Sequence, residues 1–306
     1  MDKNYELFIE QLTNAIHETT DIPLENIKFV KGDEDRLNII FAEHDDAYEV
    51  CSIHLSELSA EYLNDANSFG AIVKHICDDI VNAKNSNMHH KIGELTDYET
   101  AKSRLFVLLI NYDRNADILQ NVVYKTLDDI ALVVYAILDE REGKLISTKI
   151  LKSMVKKWGK NEDDIFNEAI ENTYRMSPPR FYILEKMLLN NNYSGDSFMN
   201  SDDTFQLNDR FIGNLLSTTR QINGAIAVFL PGVAEKISEM LKSDFYMVFT
   251  SIHEVMIHST KSRVDPSDLK NILKSTIAEA TREQDYLTEK IYKYNRKTHK
   301  FECVLD

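Results

Sequence analysis

From Phe249 to His258 the chain reads FTSIHEVMIH, which sets Ser251, His253, Glu254 and His258 inside an otherwise apolar stretch. Three chemistries could use such a set: a metal centre, a nucleophile with its base, or a buried polar network that satisfies backbone groups. The zinc-protease pattern H-E-x-x-H works because histidines four apart share one helix face. Here the spacing is H-E-x-x-x-H. Five residues on a helix turn through about 140° from one face, and on a strand they lie on opposite faces. Neither geometry lets His253 and His258 chelate one ion, so no metal is expected. Ser251 and His253 are two apart and would share a face of a strand, but no G-x-S-x-G elbow accompanies them. A core strand through residues 249–258 would turn Glu254 to the opposite face, unless the strand ends or bulges there. Ser251, His253 and Glu254 are therefore the catalytic candidates, with His253 the leading one because imidazole titrates near neutrality. The competing reading makes them hydrogen-bonding partners at the end of a sheet.

Other polar residues sit where they could bind a ligand but also where turns need them. Asn111, Asn115 and Asp128 flank two apolar runs, and Asn172 and Thr173 close a helical pattern; such side chains cap and turn the backbone readily. Gly224 follows Asn223, and Asn-Gly is first a turn signal. Neither G-x-x-x-x-G-K nor G-x-G-x-x-G occurs among only nine glycines, which weakens nucleotide readings and leaves no cofactor implied. Near the end, Lys293, Arg296, Lys297 and Lys300 alternate with Tyr292, Tyr294 and Phe301. That mixture could grip a nucleic-acid strand, or the lysines could guard a sheet edge. His89 and His90 lie in a polar connection and read as solvated.

The chain that must position these groups has 306 residues, 43% hydrophobic and 28% charged, enough for one large core or two ordinary ones. Fifty acidic against 35 basic residues give a net charge of −15, which disfavours nonspecific adhesion to nucleic acid or anionic lipid. No run of about 18 uncharged apolar residues suggests a membrane span, and the start, MDKNYELFIEQL, lacks the pattern of an export signal. Cys51, Cys77 and Cys303 are far apart and read as free thiols of a cytoplasmic protein.

Helical spacing from Tyr5 to Ile16 predicts a first helix, followed by an antiparallel meander (IKFVK, RLNIIF, YEVCSIHL) with turns at GDED and EHDDA. Two helices follow, the second with Ser68 as its cap, and then a polar connection over residues 82–97. This predicts one domain over 1–90 and a larger one over 97–306. In the larger one, RLFVLLINY and IALVVYAIL read as strands buried on both faces, STKILKSMVKKWG and NEDDIFNEAIENTYR as helices, and residues 190–209 as a polar insertion. NLLSTTR and GAIAVFL around QING predict a hairpin, PGVAEKISEMLK a helix, DFYMVFTSIHEVMIH one or two strands, and DPSDLKNILKSTIAEATR a helix capped by Asp265. EKIYKYNRKTHKFECV predicts a closing hairpin. The class is α+β, with mostly antiparallel sheets and helices packed on them.

LLINYDRNADIL, LDDIALVV, AIENT, NGAIAVFLPG, SIHEV and YKYNRKTHKFE, taken in order, resemble an uncharacterised bacterial family of Gram-positive gut bacteria, a domain of unknown function whose most recognisable element is SIHEV at 251–255. The resemblance covers residues 98–302 well and the first ninety more loosely. It implies a common fold and no reaction. Relatives carry glycine where His299 stands, which would suit a left-handed backbone. The expected role is binding or regulation through a protein or small-molecule partner. The alternative is a hydrolase or transferase centred on His253, and third comes nucleic-acid contact through the closing hairpin.

Overall fold

The computed structural model describes residues 3–32, 35–44, 47–84, 88–141, 144–190, 192–208 and 213–306. The chain divides into two compact units, Met1–Glu94 and Leu95–Asp306.

The first unit begins with α1 (Lys3–Thr20), in which Phe8, Leu12 and Ile16 are buried at intervals of four, one stripe of the helix. The meander follows as β1 (Ile27–Val30), β2 (Arg36–His44) and β3 (Ala47–His54), antiparallel throughout, with a bulge between Ile40 and Ala42. Parts of the two predicted turns, residues 33–34 and 45–46, lie outside the described residues. α2 (Leu55–Asn64), α3 (Phe69–Lys84) and α4 (Met88–Glu94) complete the unit. Its core packs Phe8, Leu12 and Ile16 against Leu37, Ile39, Leu55, Ile72 and Ile76. Two expectations change here. Ser68 is not a helix cap: it ends a 3-10 turn, Ala66–Ser68, that Asp65 caps by accepting from Asn67 N. The polar connection contains α4, where His90 Nε2 lies 3.6 Å from Glu94 one turn on; polar composition concealed a helix carried by local pairing.

The second unit begins with α5 (Tyr98–Ala101), β4 (Leu105–Asn111), α6 (Ala116–Leu119), β5 (Tyr124–Leu127), β6 (Ile130–Arg141) and β7 (Lys144–Lys149). β6 is the spine of a four-stranded antiparallel sheet, with β4 along one edge and β5 and β7 sharing the other. β7 takes residues 147–149, so the helix predicted from Ser147 is reduced to α7 (Lys152–Lys157). α8 (Glu162–Met176) begins with Asn161 accepting from Asp164 N and three acidic residues in the first turn, where the helix dipole favours them. It shields the free edge of β4: Thr173 Oγ1 accepts from Val107 N at 2.9 Å, and Asn172 Nδ2 donates to Lys102 O at 2.7 Å. These two residues lie inside the last turns of the helix, not at its end.

After β8 (Pro179–Tyr182), α9 (Leu184–Leu189) and the irregular segment 192–208 come β9 (Asn214–Thr218), α10 (Val233–Leu241), β10 (Phe245–Val248), β11 (Val255–Ser259), α11 (Pro266–Ala280), β12 (Ile291–Asn295) and β13 (Lys300–Leu305). The strands form a second antiparallel sheet in the order β13-β12-β10-β11-β9-β8. Asp265 caps α11 by accepting from Ser267 N. GAIAVFL is not a strand, so the predicted hairpin around QING does not form: Gly224–Phe229 is a buried 3-10 helix. A short apolar run cannot by itself separate the two states, and here close approach decides. A Cβ on Gly224 would lie 2.0 Å from Ser217 Oγ and 2.7 Å from His253 O. The architecture is α+β, and among the described residues no helix is long and apolar enough to cross a membrane.

Candidate functional site

β10 ends at Val248 and β11 starts at Val255, so Ser251, His253 and Glu254 lie in the connecting bend rather than on a core strand. The strand expectation fails because the bend is held by its own side chains. Ser251 Oγ accepts from His253 N at 3.0 Å and donates to Glu254 Oε1 at 3.0 Å, and Thr250 Oγ1 donates to the same oxygen at 2.6 Å. Short polar side chains that bond neighbouring backbone compete with a ladder in this way. The opposition of Glu254 to Ser251 disappears, and all three candidates join one network.

The His253 ring is engaged on both sides. Nδ1 accepts from Asn223 N at 3.0 Å, which places the ring proton on Nε2, 3.2 Å from Asp285 Oδ1. A general base needs a free nitrogen facing a substrate proton, and neither is free. Ser251 is 6% exposed and makes no bond to the ring. The backbone around it is fastened as firmly: Ser217 Oγ donates to His253 O at 2.8 Å, Ala225 N to Ile252 O at 3.1 Å, and Thr281 Oγ1 to Thr250 O at 2.8 Å. This geometry performs positioning. Its product is the segment 221–224, where Gln221 and Asn223 both hold positive φ, 56° and 54°. A non-glycine residue there needs surroundings that over-determine it, and the His253 bond to Asn223 N is one of them.

That segment also borders a cavity of about 230 Å³. Phe106 and Val107 of β4, Met176 of α8 and Ile226 of the 3-10 helix supply apolar walls, with Ile222, Arg220 and Asn223 also lining it. Thr173 and Ser177 line it too, but their hydroxyls are committed, Thr173 to Ala169 O and Ser177 to Thr218 Oγ1. Arg220 pairs with Glu140 across the sheets. Thr173, Asn223 and Gly224 stood out in the sequence only as turn and cap residues. Arg220, Met176 and Phe106 carried no signal, because their meeting depends on contacts between segments 44 to 114 residues apart.

The remaining candidates go elsewhere. Asn111 is a staple: Nδ2 donates to Leu287 O at 2.8 Å, and Oδ1 accepts from Arg114 N at 2.9 Å. Asn115 Nδ2 donates back to Asn111 O. Asp128 turns the β5–β6 hairpin with φ 52° and pairs with Lys290 at 2.8 Å. Beside it, Asp129, unmarked in the sequence, is buried and accepts from Thr288 Oγ1 and the Tyr292 hydroxyl. Burial and that carboxylate push the Tyr292 phenol far above its ordinary range. In the closing hairpin Lys293 pairs with Glu302 at 2.7 Å, while Arg296 N and Lys297 N donate to Asp244 and Asn295. Tyr292 and Tyr294 are buried, so the rings the nucleic-acid reading wanted as stacking platforms are core. His299 has the left-handed backbone, φ 55°, and its Nδ1 bonds Tyr294 Oη at 3.0 Å. Asp128, Cys303 and Asp306 bring three ligand-type atoms together, but Lys290 Nζ already supplies the cation, 2.8 Å and 3.3 Å from the two carboxylates. His258 stands apart on β11, buried, its Nδ1 without a partner among the described residues.

Residues 5–296 match the model of a family of unknown function, DUF5688. No curated protein matches the chain. No solved structure matches it either.

Proposed function

The chain belongs to that family of unknown function, whose description assigns no activity, and we propose that its second unit is a binding module for a small molecule seated in the cavity between β4, α8 and the segment 220–226. The carrying observation is the cavity itself. It combines apolar walls with a few polar groups, the usual make-up of a ligand site, and its rim is a strained segment held by a dedicated hydrogen-bond network. In this reading Ser251, His253 and Glu254 are positioning residues. Asn111, Asp128, Lys293, Arg296 and Lys297 do not line the cavity. The alternative, a hydrolase or transferase centred on His253, has in its favour the Asp285 carboxylate beside the ring and against it the commitment of both ring nitrogens. A cytoplasmic, bacterial setting is supported by the resemblance and by three unpaired thiols.

Met176→Trp tests the reading, since Met176 is half-buried and can grow into the cavity without uprooting a core residue. Small molecules retained by the purified protein after incubation in a metabolite extract should be identified by mass spectrometry. Wild type should enrich at least one compound that the variant does not. Identical retention by the two proteins would sink the proposal.

A further inference from the structure

We propose that the cavity takes a compact apolar monocarboxylate, held through its carboxylate by Arg220, and that Glu140 competes with the ligand for that guanidinium. This rests on the ligand-pocket reading above and adds the chemical class.

Three observations carry it. First, among the described residues lining the cavity Arg220 is the only charged one, and none is a carboxylate that would oppose an anion. Second, Arg220 is the donor-only group of the lining and keeps donors to spare. Thr173 and Ser177 have spent their hydroxyl protons. The Asn223 side-chain amide, which can donate or accept, makes no bond among the described residues. Arg220 gives Glu140 a single contact, Nη2 to Oε1, out of five N–H donors in a planar fork that suits a carboxylate edge. Third, Glu140 is half exposed while Arg220 is less so, 51% against 29%. Glu140 can therefore swing into water, whereas Arg220 stays at the cavity.

Size narrows the body. A volume of 230 Å³ lies below the roughly 300 Å³ at which pockets begin to hold drug-sized ligands. The apolar walls favour a phenyl or branched short-chain group over a sugar or a polar amino acid. Glu140 then acts as an internal stand-in for the ligand carboxylate, keeping Arg220 paired when the cavity holds none.

Isothermal titration of the full chain with phenylacetate and 4-methylpentanoate, each against its primary amide, tests this. The acids should bind at least tenfold more tightly than the amides. Arg220→Gln should erase that preference, while Arg220→Lys should keep part of it. Glu140→Gln should tighten the acids severalfold and leave the amides alone, an effect that loss of a merely structural ion pair would not produce. Thermal unfolding of each variant checks that it folds. Amides binding as tightly as acids, or no gain in Glu140→Gln, would overturn the carboxylate assignment and leave the pocket standing. Absence of saturable binding by all four compounds would overturn the carboxylate assignment, and binding that Met176→Trp does not weaken would overturn both.

Discussion

The second unit holds two dense polar networks, and they differ in what they face. Around Asp129 the carboxylate, the Thr288 hydroxyl and the Tyr292 phenol satisfy one another in the interior. Around His253 the groups are bonded as fully, yet the segment the network fixes carries the left-handed Asn223 to the rim of a cavity. Polar density alone therefore does not mark a site. What distinguishes the second region is the apolar cavity beside it, which Arg220 and Asn223 also line.

Perturbing each network should separate them. Gly224→Ala is the most damaging change, because its Cβ would fall 2.0 Å from Ser217 Oγ and 2.7 Å from a backbone oxygen; a loss of about 3 kcal/mol is expected in denaturant unfolding, together with loss of ligand binding. Asp129→Ala leaves two buried hydroxyls without their acceptor and should cost about 2 kcal/mol. Cavity binding should persist, and if it disappears the two regions are not independent. His253→Leu should cost about 1.5 kcal/mol for the lost bonds to Asn223 N and Asp285 and weaken phenylacetate binding about tenfold. Unchanged affinity there would strip His253 of its positioning role.

The smallest effect is one of pH. Burial holds the His258 imidazole below its ordinary pKa. The unfolded chain therefore takes up a proton near pH 6.5 that the folded chain refuses, so stability is full above that value and falls as pH drops below it. His258→Phe should flatten the slope of unfolding free energy between pH 7 and 5; an unchanged slope would assign it to other groups.

The fold was largely legible where the chain announces its own breaks. β4 and β6 are β-branched and aromatic runs, and the meander strands stand between acidic turn segments. The helices α8 and α11 open on residues suited to capping. Legibility failed where a tertiary contact decided the local state. Gly224–Phe229 has the composition of a strand and becomes a 3-10 helix because its backbone lies against Ser217 and His253. Residues 249–254 continue the apolar rhythm of β10 but bend because Ser251 and Thr250 turn their hydroxyls onto Glu254. The pocket was illegible for the same reason: its walls come from residues 106–108, 145, 173–177 and 220–226, which meet only when α8 and the 3-10 helix pack on the sheet of β4 and β6. His253 was singled out from its residue type, and its place beside the cavity gives that choice a different meaning: it fixes Asn223.

Amide NMR of the full chain during a phenylacetate titration tests the central claim most directly. The account predicts saturable shifts centred on the Val107, Arg220, Asn223 and Gly224 amides, all abolished by Met176→Trp. Saturable shifts that instead centre on Ser251 and Glu254 and persist in Met176→Trp would contradict it, and would return the function to the His253 bend.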